Sequence, residues 1–307
     1  MNRRQFFSLI TAGAVLGNLG ITSRSGFAAS LGDSSKHSKA VKARLRNLEA
    51  AAYGRLGVHI LDTSTGQEYG YRSDERFMLL STFKLLASAL VLHRVDAAQD
   101  SLGRRIPYAR GDLIDWSPIT EKHADGSGMT LAELCEAAVT ASDNTAANLI
   151  LSSYGGPPAV TNFVQQLGDG VTRLDRTEPG LNFKGANSLW DTTSPRAMVH
   201  TLHKIVLGTV LSAPSRNQLQ QWLLNNTTGA HRLRAGLPAN WRIGEKTGTN
   251  RTSANDIGVI WPPNRAPIVV AAYLNDSLAS AEIKESTLAA VGKLVADIVV
   301  PGISRPD

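Results

Sequence analysis

The sequence predicts an α/β (α+β) fold in which strands from the two ends of the chain meet in one sheet. Strand-like runs occur at 56–61 and 68–71, and they return at 255–261 and 268–274. Between about 81 and 225 the chain lacks strand alternation, and its helix-like stretches are broken by Gly, Pro and Asp. This order predicts a helical lobe inserted into a terminal sheet, with a cleft between the two lobes.

Local patterns account for the elements around this frame. Apolar residues at three-to-four spacing predict an amphipathic helix at about 38–52. The turn-rich segment 62–66 joins the first two strand runs into a hairpin. Thr130 and Glu133 form a capping box that opens a middle helix, and apolar positions between 288 and 298 give a final helix one buried face.

The composition is that of an ordinary globular chain. Its 307 residues, 42% hydrophobic and 19% charged, suffice for a domain with a sizeable core. Cys135 is the single cysteine, which excludes an internal disulfide, a multi-cysteine zinc site and a thiol redox pair. The net charge of +6 falls to +3 without the three arginines of residues 1–29, too little to predict a nucleic-acid partner.

The N-terminal segment 1–29 has the pattern of an export signal. Paired arginines at positions 3 and 4 precede an apolar run from 6 to about 19, which is too short for a membrane span. The pair resembles a twin-arginine signal, and the small residues at 26, 28 and 29 offer a cleavage site. We therefore expect a periplasmic or secreted protein with no membrane attachment after processing. The alternative is an uncleaved anchor or a lipid-modified end, although no cysteine lies nearby to carry a lipid.

Ser81 and Lys84 form the first candidate catalytic pair. If a helix begins at Ser81, the hydroxyl lies at its positive end, and Lys84 follows on the same face one turn later. A serine alone is a poor nucleophile, but a buried amine can accept its proton or hold a neighbouring carboxylate and water. The alternative is a helix cap and a surface lysine, although a lysine in an otherwise apolar helix needs a buried partner.

Two further motifs follow in the chain. Ser142-Asp143-Asn144 would, taken alone, be a loop in which the aspartate caps a helix. Lys246-Thr247-Gly248-Thr249 leads into the terminal strand run. Its glycine allows a ligand to approach a strand closely, and its lysine offers a positive charge to an anion.

Together and in this order, the three motifs resemble those of the penicillin-recognising serine enzymes, with a class A β-lactamase as the best match. The resemblance covers about 41–299. It implies the β-lactamase/transpeptidase-like fold, in which a five-stranded antiparallel sheet is flanked by terminal helices and carries an inserted all-helical lobe. The implied catalytic domain is 30–307, with an α/β lobe at about 38–75 and 227–300 and the helical lobe at about 76–226.

The segment 173–182 resembles the omega loop that separates class A β-lactamases from related peptidases. The resemblance implies that Glu178 and Asn182 hold the water that hydrolyses the acyl-enzyme. It also implies that Arg176 pairs with Asp191 and that the peptide bond between Glu178 and Pro179 is cis. Taken alone, the segment would be a surface loop with a turn.

The mechanism that the resemblance implies starts with attack of Ser81 on the β-lactam carbonyl. Either Lys84, or Glu178 through a water, takes the proton of the serine. The backbone N–H groups of Ser81 and Thr249 stabilise the oxyanion, and Ser142 passes a proton to the ring nitrogen. Glu178 then activates the water that releases the product.

The resemblance also implies a set of substrate-binding residues. Asn144 contacts the acylamino side chain, and Trp116 stands at the mouth of the cleft. Arg232 takes the place of an arginine that many relatives carry at the position of Ala254. The groups expected at the substrate carboxylate are Lys246, Thr247, Thr249 and Arg232.

We expect a monomer that acts on a small-molecule β-lactam without a cofactor or metal. The seven histidines show no HxHxD or HExxH pattern, and His200 and His203 share a helical face with no third ligand apparent. Many relatives have a disulfide between two positions that are occupied in this chain by Cys135 and Ser88. The bridge cannot form here, so we expect Cys135 to be a buried small residue.

Two alternative functions use the same Ser81. One is a D-alanyl-D-alanine peptidase acting on cell-wall peptides, and the other is a non-hydrolysing β-lactam sensor domain that stays acylated. Glu178 and Asn182 argue against the peptidase. A sensor should lack a deacylating glutamate, so Glu178 argues against that alternative as well. The sequence leaves the preferred β-lactam, the inhibitor sensitivity and the choice of acylation base open.

Overall fold

The computed structural model describes residues 25–299, with side chains from Ser38 onward. Its α-helices are α1 Ser25–Ala51, α2 Phe83–Asp96, α3 Leu131–Thr140, α4 Asn144–Ser152, α5 Pro157–Gln166, α6 Pro195–Leu202, α7 Ala213–Leu224, α8 Leu233–Gly236 and α9 Ala281–Val299. Its strands are β1 Arg55–Asp62, β2 Gln67–Tyr71, β3 Phe77–Met78, β4 Arg105–Ile106, β5 Met129–Thr130, β6 Thr192–Thr193, β7 Arg242–Asn250, β8 Ser253–Trp261 and β9 Ile268–Asn275.

Strands from both ends of the chain form one antiparallel sheet, which confirms the predicted fold class. The strand order is β2-β1-β9-β8-β7, so β1 lies beside β9. Their register runs from Arg55 opposite Asn275 to Asp62 opposite Ile268. β7 is an edge strand that pairs only with β8, so its other edge can face the helices that precede it in the chain.

Both faces of the sheet are buried, and alternate residues of β9 show this directly. Ile268, Val270, Ala272 and Leu274 belong to the core that packs against α1 and α9. Val269, Ala271 and Tyr273 belong to the core shared with α2 to α7. Successive side chains of a strand point to opposite faces, so a strand buried on both sides is apolar throughout. Each fully buried aliphatic side chain contributes roughly 1.5–3 kcal/mol.

Several elements differ from their predicted bounds. The first helix begins at Ser25 and not at about 38, and β7 was not distinguished as a strand by periodicity. The middle of the chain also contains the short pairs β3 with β6 and β4 with β5. Two-residue strands have no alternation to detect, which explains why the pattern showed helices alone.

None of the helices within residues 25–299 is long and apolar enough to span a bilayer. Most of the predicted signal peptide lies outside the described residues.

Candidate active site

A short 3₁₀ turn holds Ser81 at the start of the central helix. The turn covers Leu80–Thr82 and runs directly into α2, in which all residues from Phe83 to Leu92 are buried. Leu80 has a φ of +48°, a left-handed conformation that is costly for a bulky residue. Thr82 Oγ1 stabilises the turn by donating to Leu79 O at 2.7 Å. The predicted helix start at Ser81 is therefore a tighter turn, and the α-helix begins two residues later.

Gly248 brings the edge strand β7 against this turn. A Cβ at this glycine would lie 2.9 Å from Leu80 Cβ, 3.1 Å from Leu79 O and 3.3 Å from Ser81 N. Any side chain would therefore push the strand away from the serine. The close approach explains why the motif has glycine between its threonines, and it places the Thr249 backbone beside the serine.

Lys84 is fully buried, and acceptors from three residues surround its ammonium group, with a fourth and longer contact to Ser142 Oγ at 3.4 Å. Its Nζ donates to Asn144 Oδ1 at 2.5 Å and to Ser142 O at 2.8 Å, and it lies 3.2 Å from Glu178 Oε1. These contacts match the three N–H donors of an ammonium group. Burial lowers the pKa of Lys84, and the Glu178 carboxylate opposes that shift. The buried partner that the sequence required is therefore present.

The segment Ser142-Asp143-Asn144 contributes side chains and a carbonyl to the cavity and also stabilises the fold. Ser142 has a φ of +59°, and this turns its carbonyl toward Lys84. Asp143 is fully buried and caps α4 by accepting from Ala146 N at 2.8 Å, while Thr120 N also donates to it. Asn144 completes the segment, and its Nδ2 donates to the carbonyl of residue 115 at 2.8 Å.

Glu178 lies between the serine and the lysine. Its Oε1 accepts from Ser81 Oγ at 3.3 Å, and Asn182 Nδ2 donates to its Oε2 at 2.5 Å. Asn148 fixes the backbone of this residue in both directions, since it donates to Glu178 O and accepts from Glu178 N at 2.9 Å each. The Glu178–Pro179 bond is cis, as the resemblance implies.

The loop that carries Glu178 is closed by the predicted ion pair. Arg176 Nε lies 2.6 Å from Asp191 Oδ2, and Asp191 is 1% exposed. Its other oxygen accepts the backbone N–H groups of Asp175 and Arg176 at 2.8 and 2.9 Å. Arg176 also reaches Phe183 O, so the pair ties both ends of the segment together.

A cavity of about 710 Å³ opens above these groups. Its lining contains seven of the predicted site residues: Ser81, Trp116, Ser142, Asn144, Asn182, Thr247 and Thr249. Trp116 is 64% exposed and donates through Nε1 to Ala141 O, so it stands at the mouth. Lys84 and Glu178 are not among the lining residues and lie buried behind the serine.

Two further cations lie behind the threonines of β7. Lys246 is fully buried and donates to Ser142 Oγ at 3.0 Å and to Thr247 O at 2.8 Å. Arg232 is 4% exposed and donates to Thr249 Oγ1 at 2.7 Å. Burial lowers the pKa of Lys246 well below its ordinary value, and the charges of Lys84 and Arg232 add to the effect. This end of the cavity therefore favours an anion.

The structure shows supporting residues that the sequence reasoning missed. Asn148 lies one helical turn after Asn144 on α4, and that spacing could have indicated it. Asn250 donates to Asn182 O at 2.9 Å, a contact across 68 residues that no local pattern reveals. Cys135 is a buried free thiol, as predicted, and Ser88 beside it is also buried.

This fold, with a serine, a lysine and a glutamate grouped under one cavity, defines a serine hydrolase of the penicillin-recognising type. The model of a family described as the β-lactamase enzyme family matches residues 40–299. The chain belongs to this family, and its similar solved structures place it with class A.

Relatives and solved structures agree on this assignment. The chain is 46% identical to β-lactamase OXY-1 of Klebsiella oxytoca, over 84% of this chain and 89% of that protein. It is 47% identical to β-lactamase L2 of Stenotrophomonas maltophilia, over 80% and 82% of the two chains. The structure of an ancestral class A β-lactamase matches with a TM-score of 0.82 and 55% identity, covering 84% of this chain and 99% of that one.

Proposed function

We propose that this protein hydrolyses the β-lactam ring of penicillins and cephalosporins through an acyl-enzyme on Ser81, and that it confers antibiotic resistance. The observation that carries the proposal is the position of Glu178. Its Oε1 lies 3.3 Å from Ser81 Oγ and 3.2 Å from Lys84 Nζ, and its side chain is fully buried. A carboxylate in contact with the nucleophile is what a deacylating enzyme needs and what a stable acyl-enzyme sensor lacks.

In the acylation step, Ser81 Oγ attacks the ring carbonyl and its proton passes to Lys84, or to Glu178 directly or through a water. Lys84 Nζ donates to Asn144 and Ser142 and lies 3.2 Å from Glu178 Oε1, so it also holds the carboxylate beside the serine. The N–H groups of Ser81 and Thr249 meet the oxyanion and contribute about 2–4 kcal/mol each.

In the deacylation step, Glu178 takes a proton from water, which attacks the ester carbonyl. Asn182 holds this water, since its Nδ2 is bound to Glu178 while its buried Oδ1 has no hydrogen-bond partner among the described residues. As the ester bond breaks, the proton taken from water passes to Ser81 Oγ and restores the serine. In the preceding acylation step, Ser142 Oγ, which lies 3.0 Å from Lys246 Nζ, relays a proton to the departing ring nitrogen. No cofactor or metal enters either step.

The substrate carboxylate binds at the hydroxyl groups of Thr247 and Thr249, with Lys246 and Arg232 directly behind them. Asn144 contacts the acylamino group, and Trp116 covers the entrance of the cavity. Arg176 and Asp191 position the loop that carries Glu178.

Purified protein mixed with a large excess of nitrocefin is expected to hydrolyse many equivalents without added zinc. Ser81→Ala should abolish this turnover, because no other group replaces the nucleophile. The measurement is the absorbance of the opened product over time. One equivalent of product followed by no further reaction would contradict the proposal and favour a peptidase or a sensor.

The pH dependence of kcat/KM should show the titration of Lys246. Its pKa is lowered, so the positive charge is present at low pH and is lost as pH rises through a value below the ordinary 10.5. The alkaline limb of kcat/KM should therefore lie below that value, and Lys246→Arg should move the limb to higher pH because guanidinium does not titrate there. Lys284→Arg is the matched control, since Lys284 is also buried but bonds to Arg251 O. An unchanged limb in Lys246→Arg would contradict the assignment.

We also propose that the protein acts as an exported monomer after removal of a twin-arginine-type signal within residues 1–29. The paired arginines and the short apolar run support the export signal. Intact-mass measurement of the protein in the periplasm or medium should show a chain that starts near residue 29, and sedimentation should give the mass of one chain.

A further inference from the structure

A cluster of two histidines and one glutamate lies on the sheet and α6, outside the catalytic cavity. His59 belongs to β1, Glu68 to β2, and His200 to α6. Their ligand atoms all lie within 4.8 Å of one another, and this is the one such group found among residues with described side chains. The neighbours of His200 in this cluster therefore come from the β1–β2 hairpin, and His203 is not part of it.

The distances in the cluster suit a small cation. His59 Nε2 lies 2.9 Å from Glu68 Oε2, and His200 Nε2 lies 3.5 Å from Glu68 Oε1. Ligand bonds of about 2.1 Å in a tetrahedral zinc site put neighbouring donor atoms about 3.4 Å apart. The His200 side chain is 42% exposed, so its ring has room to turn toward the other two ligand atoms, which lie within 4.8 Å of its own.

The surroundings of His59 orient its ring for binding. The residue is 1% exposed, its Nδ1 lies 3.1 Å from Ser73 Oγ, and that hydroxyl donates to Val58 O. Without an ion, Nε2–H can donate to Glu68 Oε2 at 2.9 Å. With Nδ1–H donating to the Ser73 hydroxyl, Nε2 gives up its proton and becomes the ring atom that binds an ion beside the carboxylate. Gly70 makes room for this arrangement, because a Cβ there would lie 1.9 Å from Ser73 Oγ and 2.9 Å from His59 Nδ1.

One positive group competes for the carboxylate. Arg196 Nη1 lies 2.7 Å from Glu68 Oε2, while its Nε lies 2.9 Å from Asp74 Oδ1. Because Asp74 remains available to the arginine, Arg196 can release Glu68 without losing its ion pair.

We propose that His59 Nε2, the Glu68 carboxylate and His200 Nε2 bind a divalent ion of the zinc type. Two imidazoles and one carboxylate form a ligand set that binds zinc-type ions in preference to calcium or magnesium. A water completes the coordination, since Glu68 and His200 are partly exposed. The ion ties the β1–β2 hairpin to α6 and takes no part in the hydrolysis, because none of its three ligands lines the catalytic cavity.

Calorimetric titration of tag-free full-length protein with zinc chloride tests this site. We expect one zinc ion per chain, and we expect His200→Ala to weaken binding at least about tenfold. His203→Ala is the matched control, a partly exposed histidine three residues further along the chain and outside the cluster. Equal zinc affinity in wild type and His200→Ala, or no saturable heat in wild type, would overturn the proposal.

A second variant separates binding from folding. Glu68→Gln keeps the shape of the side chain and removes its charge, so it should lose zinc affinity while nitrocefin hydrolysis stays at the wild-type rate. Zinc should raise the melting temperature of wild type and of His203→Ala, and it should not raise that of Glu68→Gln. An equal rise in all three proteins would contradict the site.

Discussion

Glu178→Gln is expected to convert steady hydrolysis into a single burst of about one equivalent. The glutamine keeps the shape of the side chain but cannot accept a proton from water, so the ester on Ser81 accumulates. Loss of a general base typically costs about 10²–10⁴-fold in rate. Asn182 can rotate its amide to accept from the new amide group, because its Oδ1 has no partner among the described residues. Mass spectrometry of the quenched reaction should show the intact acyl-enzyme.

Glu121→Gln serves as the control for this experiment. Glu121 is an exposed carboxylate in the short 3₁₀ helix Thr120–His123, so its replacement should leave turnover unchanged. If Glu178→Gln keeps the full steady rate, another group activates the water and the assignment of Glu178 is wrong. If Glu178→Gln forms no acyl-enzyme, the burst disappears together with the steady rate. Glu178 is then required as the base of the acylation step.

Much of the fold was predictable, because it follows from local patterns. The strands β1, β2, β8 and β9 are long enough for their composition to indicate them, and their order along the chain predicts that the termini share a sheet. The capping box is also confirmed, since Glu133 N donates to Thr130 Oγ1 and Thr130 N donates to Glu133. These features depend on residues within a few positions of one another.

The supporting contacts of the site were not predictable in the same way. Asn250 donates to Asn182 O across 68 residues, and the cluster of His59, Glu68 and His200 joins three elements. Neither has a sequence spacing that distinguishes it from ordinary polar residues. The left-handed φ of Leu80 could not be predicted either, because leucine rarely adopts this conformation and the sequence has no glycine or asparagine there to indicate it. Such strain is imposed by packing around the site and is visible only in the fold.

Lys84→Met should lower both the acylation rate and the stability of the protein. The methionine has a similar length but no charge, so Glu178 loses the cation that orients it. We expect nitrocefin acylation to slow by about 10²–10⁴-fold. The variant also leaves a fully buried carboxylate without its ion-pair partner, and breaking a buried pair in this way costs about 3–5 kcal/mol. Urea unfolding of wild type and variant at neutral pH measures this cost.

The double variant Lys84→Met with Glu178→Gln tests whether the two charges stabilise each other. Glu178→Gln alone leaves the ammonium with Asn144 Oδ1 and Ser142 O, so it should cost less than Lys84→Met. Removing both charges leaves no unpaired ion, and the double variant should therefore be more stable than the sum of the single effects predicts, by about 0.5–3 kcal/mol. Strict additivity would show that the 3.2 Å contact contributes nothing to folding. In that case any loss of stability in Lys84→Met would come from its bonds to Ser142 and Asn144, and Lys84 would serve the reaction through those bonds alone.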